Sequence, residues 1–219
     1  MKILPEAKEG ASKENKLPEH LGGHMNRNWT DKGALNYFIN ELKVKSMVDI
    51  GCGIGDQTTL AHEMGIYSVG IDGDYTIGRP DNISFLIHDY SKGPLGGAYM
   101  THLPESGFFD LGWSIEFLEH VDEKYIPNFM ETFKLCKFAV VTHAYPGQGG
   151  HHHVNEQEKE YWIDLFNKSG FRYDLALTNG VKSASTMARK TRQNRYTKDK
   201  ETKNWIELNG SVFVNNRMT

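Results

Sequence analysis

A glycine-rich bend near residue 50 is the clearest candidate in the chain for a ligand site. Residues 48–55 read VDIGCGIG, in which Asp49 lies near the end of an apolar strand and Gly51, Gly53 and Gly55 follow it. Glycine lets the backbone turn sharply and approach a ligand closely, because it has no Cβ atom. A helix that begins just after such a bend directs its free amide groups at the ligand. The pattern therefore predicts a strand–turn–helix unit that holds a ligand.

Two carboxylates follow at the ends of the next two predicted strands. Asp72 lies twenty-one residues after Gly51, where an acid can accept both ribose hydroxyls of an adenosine. The other interpretation of Asp72 is a helix cap, with Asp74 taking its place at the ribose. Asp89 ends the third strand beside Tyr90, and a strand-end aspartate can also cap a turn.

Short apolar strands alternate with helices along most of the chain. The predicted strands are Ser46–Ile50, Ile66–Ile71, Ile83–Ile87, Phe109–Ser114, Phe138–Thr142, Phe171–Leu177 and Ser211–Val214. The predicted helices are one capped by Thr30 or Asp31 and reaching Leu42, one capped by Asp56 and ended by Gly65, one over Tyr125–Phe133, and one over Glu156–Ser169. This alternation is typical of a doubly wound α/β fold, in which a mostly parallel sheet carries helices on both faces.

The composition limits the class of protein and its compartment. The 219 residues suffice for one α/β domain, and the net charge of −3 provides no general field for nucleic acid or a membrane surface. No apolar run reaches the ~18 residues that a spanning helix needs, and the first residues have no signal-peptide pattern. Two cysteines are too few for a disulfide framework. We therefore expect a cytoplasmic protein with no membrane partner and with reduced thiols at Cys52 and Cys136.

Two segments depart from the regular pattern. Residues 1–30 are predicted to be a flexible tail and a possible lid, and residues 21–29 within it are predicted to be a loop. Residues 31–219 then form the folded domain, with a basic insertion near 178–210. Its cations form either a solvated face or a contact surface for an anionic acceptor; they are Lys182, Arg189, Lys190, Arg192, Arg195, Lys198, Lys200 and Lys203.

The order of these motifs resembles that of class I S-adenosylmethionine (SAM)-dependent methyltransferases. The resemblance covers about residues 45 to 177 and rests on DIGCGIG, GID, HDY and DLGWSIEFLEHV, in that order. It implies a Rossmann-like seven-stranded sheet with an antiparallel last strand, SAM as cofactor and S-adenosylhomocysteine (SAH) as product. Nicotinamide-binding proteins compete for the glycine bend, but their usual G-x-G-x-x-G spacing differs from glycines at 51, 53 and 55.

The resemblance also implies cofactor contacts at individual positions. It places Asp49 and Gly51 beside the amino-acid part of SAM, Asp72 at the ribose and Asp89 at the adenine amino group. The full set implied is Asp49, Gly51, Gly53, Gly55, Asp72, Asp89, Tyr90, Ser114 and Ile115.

Histidines and acids after the fourth and fifth strands are the candidates for acceptor chemistry. Methyl transfer to a hydroxyl requires that the acceptor is aligned and loses its proton. In one interpretation a single histidine is the general base, the candidates being His120, His143 and His152. In a second, Glu116, Glu119 and His120 join a later histidine around a divalent metal, since E-x-x-E-H resembles the metal motif of RNA 2′-O-methyltransferases and quinone O-methyltransferases. In a third, these side chains are structural.

Three functions remain open at this point. The leading one is O-methylation of a small molecule or sugar, which makes a small-molecule acceptor the expected partner. The alternatives are a nucleic-acid methyltransferase, metal-assisted in one form, and a SAM-binding protein without catalysis. Trp29 and Tyr145 are predicted walls of the acceptor pocket, whereas Trp113 and Trp162 are expected in the core.

Overall fold

A seven-stranded sheet organises the protein, as seen in a computed structural model that describes residues 17–21, 27–191 and 204–218. The strands of the chain are β1 (Arg27–Thr30), β2 (Ser46–Ile50), β3 (Tyr67–Asp72), β4 (Ser84–Ile87), β5 (Phe109–Ser114), β6 (Cys136–Val141), β7 (Phe171–Tyr173), β8 (Ala188–Thr191) and β9 (Ser211–Asn215). The sheet has the order β4-β3-β2-β5-β6-β9-β7, and only β9 pairs antiparallel, with β6 and with β7. The predicted mostly parallel sheet with a reversed last strand is confirmed.

Six helices pack around this sheet in the described part of the chain. They are α1 (Lys32–Leu42), α2 (Asp56–Glu63), α3 (Ile126–Phe133), α4 (Lys159–Lys168), α5 (Leu175–Ala184) and α6 (Trp205–Asn209). Asp31 caps α1 by accepting the Ala34 amide at 2.8 Å, as predicted. The N-cap of α2 is Gly55 rather than Asp56, because the bend ends in a left-handed residue with φ of 84°. None of the helices described is long and apolar enough to cross a bilayer.

Both faces of the sheet are buried by helices. On one face α3 and α4 supply Phe129, Phe133 and Phe166, and Phe166 stacks on Phe213 of β9 with ring centroids 4.1 Å apart. The other face is covered by α1, α2, α5 and α6. Trp113 and Trp162 are 2% and 1% exposed, so their predicted place in the core is confirmed.

The predicted strand Phe171–Leu177 is wrong in its second half. The strand β7 ends at Tyr173, and Asp174 then caps α5 by accepting the Leu177 amide at 3.0 Å. An aspartate side chain that accepts a free amide in the first turn favours the start of a helix, so the strand ends before it. Thr178 and Val181 of α5 are buried against the sheet, which favours a helix over a longer strand.

The predicted loop over 21–29 is also corrected in part. Residues 27–30 form β1, which pairs antiparallel with β8, a strand within the region predicted as a basic insertion. The buried Asp31 holds this ribbon, since it accepts the Thr186 amide at 2.9 Å and the Ser185 hydroxyl. The flexible tail over residues 1–16 and the basic residues 192–203 lie outside the described residues, so those expectations stay predictions.

Candidate functional site

The carboxyl ends of the parallel strands bring the predicted ligand residues together. The strands β3 and β4 lie on one side of β2, and β5 and β6 lie on the other. The strand order therefore reverses between β2 and β5. Doubly wound sheets bind their ligands at such a point. The bend after β2, Asp72 at the end of β3 and Ser114 at the end of β5 all lie at this edge.

The backbone of the glycine bend has a positive φ at every second residue, each of which is a glycine. Gly51, Gly53 and Gly55 have φ values of 76°, 53° and 84°, in the left-handed region. The amides of Gly51 and Cys52 both donate to the Ile71 carbonyl of β3, at 2.9 and 3.0 Å. The bend is thereby attached to the neighbouring strand, as the strand–turn–helix prediction requires.

Replacing Gly51 by alanine is expected to destabilise the protein by about 1–3 kcal/mol. A Cβ atom there would lie 2.3 Å from the Phe117 ring, and the φ of 76° already disfavours a side chain. Urea unfolding measures the effect. Gly78→Ala is the matched control, because no atom lies within 4 Å of its Cβ position. Equal stability of the two variants would contradict this description of the bend.

Asp49 is a buried carboxyl beneath the bend. It is 4% exposed and accepts the Thr58 hydroxyl of α2 at 2.7 Å. Burial raises the pKa of Asp49 to about 7, although the Thr58 hydrogen bond opposes that shift. A cation that approaches the bend would favour the ionised form, which suits the ammonium of an amino acid. Nearby, the Ser114 hydroxyl donates to the Ile50 carbonyl at 2.9 Å and joins β5 to β2.

Asp72 faces the bend from the end of β3. Its Oδ2 accepts the Gly53 amide and its Oδ1 accepts the Asp74 amide, both at 2.8 Å. Asp74, the alternative candidate, instead accepts the amide and the hydroxyl of Thr76 at 2.7 and 2.6 Å. Asp74 is 2% exposed and engaged in its own turn, whereas the side chain of Asp72 is 13% exposed, so Asp72 is the more accessible of the two acids.

The acid after β4 is contacted by the N-terminal segment 17–21. Asp89 accepts the Ser91 amide at 2.8 Å, and its other oxygen lies 3.2 Å from Nε2 of His20. These hydrogen bonds outweigh burial and lower the pKa of Asp89. Leu21 packs beside Gly73, where an added Cβ would lie 2.3 Å from it. The segment 17–21 therefore lies against the ends of β3 and β4, and the role of a lid for the N-terminal residues stays a prediction.

Tyr90 lies deeper than its neighbour Asp89. Its ring is 5% exposed and packs on Phe117 and Phe129, and its hydroxyl lies 2.9 Å from that of Thr132 on α3. Tyr90 therefore supports the floor of this edge, and a direct contact with adenine stays a prediction. Ile115 packs at the margin of the core on the α1 side of the sheet.

A cluster of metal-ligand type lies beyond β5. Atoms of Glu119, His120 and His153 that could bind a metal lie within 4.8 Å of one another. The loop that carries His153 is attached to the turn that carries Glu119, because the amides of Val154 and Asn155 donate to the Glu119 carbonyl at 2.9 and 3.1 Å. The fold thus brings His153 next to Glu119 and His120, which lie more than thirty residues earlier in the sequence.

The electrostatics of this cluster are unusual for a protein core. Glu119 is fully buried, yet neither of its carboxylate oxygens has a hydrogen-bond partner within the described residues, and the same holds for Nδ1 of His120. Burial, together with the nearby Glu116, raises the pKa of Glu119 well above its usual range. Burial and the neighbouring His153 lower the pKa of His120 to about 4. Nδ1 of His153 lies 2.9 Å from the Glu156 carboxylate.

Other candidates for the acceptor side are placed outside this cluster. Glu116 contacts Thr142, whose hydroxyl lies 3.0 Å from its carboxylate. His143 is fully buried against Trp162 and Tyr145, and burial lowers its pKa. The ring of His152 lies 6.4 Å from that of His20. Trp29, a predicted pocket wall, packs edge-on against Trp205 at 6.0 Å.

Two participants were missed at the level of sequence. His153 was one of three adjacent histidines, and nothing in their spacing distinguished it as the partner of Glu119 and His120. Arg79 was not considered, although its guanidinium lies against the glycine bend and Asp72. The only sequence signal was an arginine in the loop that follows the ribose-type acid.

Comparisons with known proteins agree with this architecture. No protein-family model and no curated protein sequence matches the chain. Among solved structures, the methyltransferase domain of bacterial CtHen1-C is similar with a TM-score of 0.51 and 16% identity, over 84% of this chain and 95% of that chain. A TehB-like SAM-dependent methyltransferase from Corynebacterium glutamicum has a TM-score of 0.50 and 15% identity, over 66% and 76%.

A SAM-dependent methyltransferase from Archaeoglobus fulgidus is 22% identical with a TM-score of 0.47; the match covers 63% of this chain and 64% of the Archaeoglobus chain. With the sheet order β4-β3-β2-β5-β6-β9-β7 and the reversed β9, the likenesses to the CtHen1-C and TehB-like structures establish the fold. The chain therefore has a Rossmann-like α/β fold of the kind seen in the CtHen1-C and TehB-like structures.

Proposed function

We propose that the protein is a SAM-dependent O-methyltransferase whose acceptor hydroxyl is bound at Glu119, His120 and His153. One observation carries the proposal. A buried carboxylate without a partner among the described residues and two imidazoles lie together at the ligand-binding edge of a methyltransferase fold. The cost of burying such polar groups indicates that they serve a ligand.

The cofactor half of the proposal rests on the bend and its acids. Asp72, whose carboxylate contacts the bend, is proposed to accept the ribose hydroxyls, and the buried Asp49 beneath the bend is proposed to lie near the ammonium of the methionine part. Gly51, Gly53 and Gly55 give the bend the left-handed backbone on which the cofactor is proposed to lie. The structural likeness to a protein described as a SAM-dependent methyltransferase supports SAM for this crevice, with SAH as product.

The acceptor half fits a divalent metal. One carboxylate and two imidazoles form a ligand set that suits first-row ions such as Mn²⁺, Co²⁺ or Zn²⁺. A metal bound there would lower the pKa of an acceptor hydroxyl. Glu119, His120 and His153 would hold it, and Glu156 would orient the His153 ring through its Nδ1 contact. Glu116, predicted as a ligand from its sequence spacing, remains a neighbour of Glu119 rather than a member of the cluster.

The acceptor is proposed to be a hydroxyl compound, with a small molecule or sugar as the first candidate. The second candidate is a ribose 2′-hydroxyl of RNA. It is favoured by one specific observation: the E-x-x-E-H motif, which resembles that of RNA 2′-O-methyltransferases, is completed in space by His153. A SAM-binding protein without catalysis would bind SAH but transfer no methyl group.

Transfer of labelled methyl groups from SAM tests the proposal. The protein is incubated with Mn²⁺ and a panel of sugars, catechols and short RNAs, in which each RNA has a matched 2′-deoxy control. We expect label in a hydroxyl compound, and loss of transfer when a chelator is added. SAH binding measured by calorimetry distinguishes the two halves. Binding of SAH without transfer to any acceptor would contradict the enzymatic proposal. Absence of SAH binding would contradict the proposal that SAM is the cofactor.

A further inference from the structure

Arg79 is a buried cation at the rim of the cofactor crevice. It lies in the loop between β3 and β4, seven residues after Asp72, and its side chain is only 5% exposed. Burying a guanidinium is costly unless its donors are satisfied. The groups that Arg79 contacts are therefore the key to its role.

The guanidinium of Arg79 binds the glycine bend directly. Its Nε and one terminal nitrogen both donate to the Gly53 carbonyl, at 3.0 and 2.7 Å. Its other terminal nitrogen donates to the Asp74 carbonyl at 3.0 Å. One side chain therefore joins the bend after β2 to the turn after β3, and these two segments would enclose the ribose.

The same guanidinium lies next to the candidate ribose acid. A terminal nitrogen of Arg79 is 3.6 Å from Oδ1 of Asp72, whose Oδ2 accepts the Gly53 amide at 2.8 Å. Each of Arg79, Asp72 and Gly53 thus contacts the other two. The guanidinium therefore lies beside the carboxylate that is proposed to accept the two ribose hydroxyls.

An aromatic ring fixes the position of the arginine. The Arg79 guanidinium lies 5.8 Å from the centroid of the Phe85 ring on β4. Phe85 fills the space beside Gly55 and Gly70, where a Cβ atom would lie 2.5 Å from the ring. The ring therefore occupies room that only glycines leave, and it packs beside both the bend and the guanidinium.

We propose that Arg79 is a positioning residue for the cofactor: it sets the geometry of Asp72 and of the glycine bend so that Asp72 can bind both ribose hydroxyls. The inference rests on the proposed SAM site. Arg79 acts through Asp72 and Gly53 and has no need to touch the cofactor, since its donors are engaged with backbone carbonyls. Its effect on binding should therefore depend on the ribose hydroxyls.

Binding of two ligands to Arg79→Gln and Arg79→Lys tests this inference. The ligands are SAH and its 2′,3′-dideoxy analogue, which lacks the groups that Asp72 would bind. We expect Arg79→Gln to raise the Kd for SAH by about tenfold or more and the Kd for the analogue by less than about threefold. Arg79→Lys should keep part of the SAH affinity, because it retains the charge but cannot reproduce the paired bonds to Gly53.

The control and the contradicting results are distinct. Arg172→Gln removes an exposed arginine that pairs with Asp174, and it should leave both Kd values unchanged. An equal loss for both ligands would show that Arg79 only stabilises the fold and would overturn the inference, as would an unchanged Kd for SAH. If the unmodified protein binds no SAH, the proposed function fails first, so the two failures are separable. Should Arg79→Gln unfold, the comparison is decided by Arg79→Lys.

Discussion

Replacing His120 by alanine is expected to lower kcat for methyl transfer by about a hundredfold or more, with little change in SAH affinity. His120 lies in the acceptor cluster with Glu119 and His153, whereas the residues proposed to bind SAM lie on the bend and on β3. Loss of one ligand weakens the hold on the metal and on the acceptor, but it leaves the cofactor crevice intact. Single-turnover transfer and SAH calorimetry measure the two effects separately.

The matched control is His151→Ala, in the loop that carries His153. His151 is exposed and lies outside the metal-type cluster, so its loss should leave kcat within about twofold. Glu119→Gln gives an independent variant, because it removes the charge and keeps the shape. We expect it to abolish saturable Mn²⁺ binding in calorimetry. Full activity of both His120→Ala and Glu119→Gln would contradict the proposed acceptor site.

Replacing Asp72 by alanine is expected to weaken SAH binding by at least about a hundredfold. The carboxylate is proposed to accept two ribose hydroxyls, and it also holds the Gly53 and Asp74 amides at 2.8 Å each. Its loss removes the contacts to the ligand and releases the bend that carries the rest of the site. Calorimetry with SAH measures the change.

A second variant separates ligand contacts from folding. Asp72→Asn keeps an acceptor oxygen for the Gly53 amide, loses the acceptor for the Asp74 amide and lacks the charge, so it should disturb the bend less than alanine does and still lose most of the SAH affinity. Asp164→Ala is the control, since Asp164 is exposed and pairs with Lys168 on α4. If Asp72→Asn binds SAH as the unmodified protein does, the ribose role passes to another acid and the proposed site is wrong.

The glycine bend and its acid were predictable from the sequence because both are local features. The apolar run before Gly51, the alternating glycines and the strand that ends at Asp72 depend on residues within a few positions of one another. Backbone preferences and the burial of short apolar runs depend on such near neighbours in sequence. The order of such units then limits the sheet topology, since parallel strands joined by helices follow few routes.

The errors arose where distant segments decide the local structure. The residues of β1 have no strand period of their own, and they become a strand only because β8, more than 150 residues away, pairs with them. The alternating leucines at 175 and 177 resemble a strand, but Asp174 and the burial of Val181 favour a helix. Periodicity alone does not distinguish these cases.

The sequence by itself determined the fold class, the glycine bend and the pool of histidines, because these follow from chain-local preferences for turning and burial. Only the tertiary structure decided which histidine joins Glu119 and His120, and that Arg79 secures the bend to Asp72. The physical reason is that a polar contact between side chains far apart in the chain leaves no periodic pattern. It exists only after the sheet has brought the loops at its carboxyl edge within a few ångströms of one another.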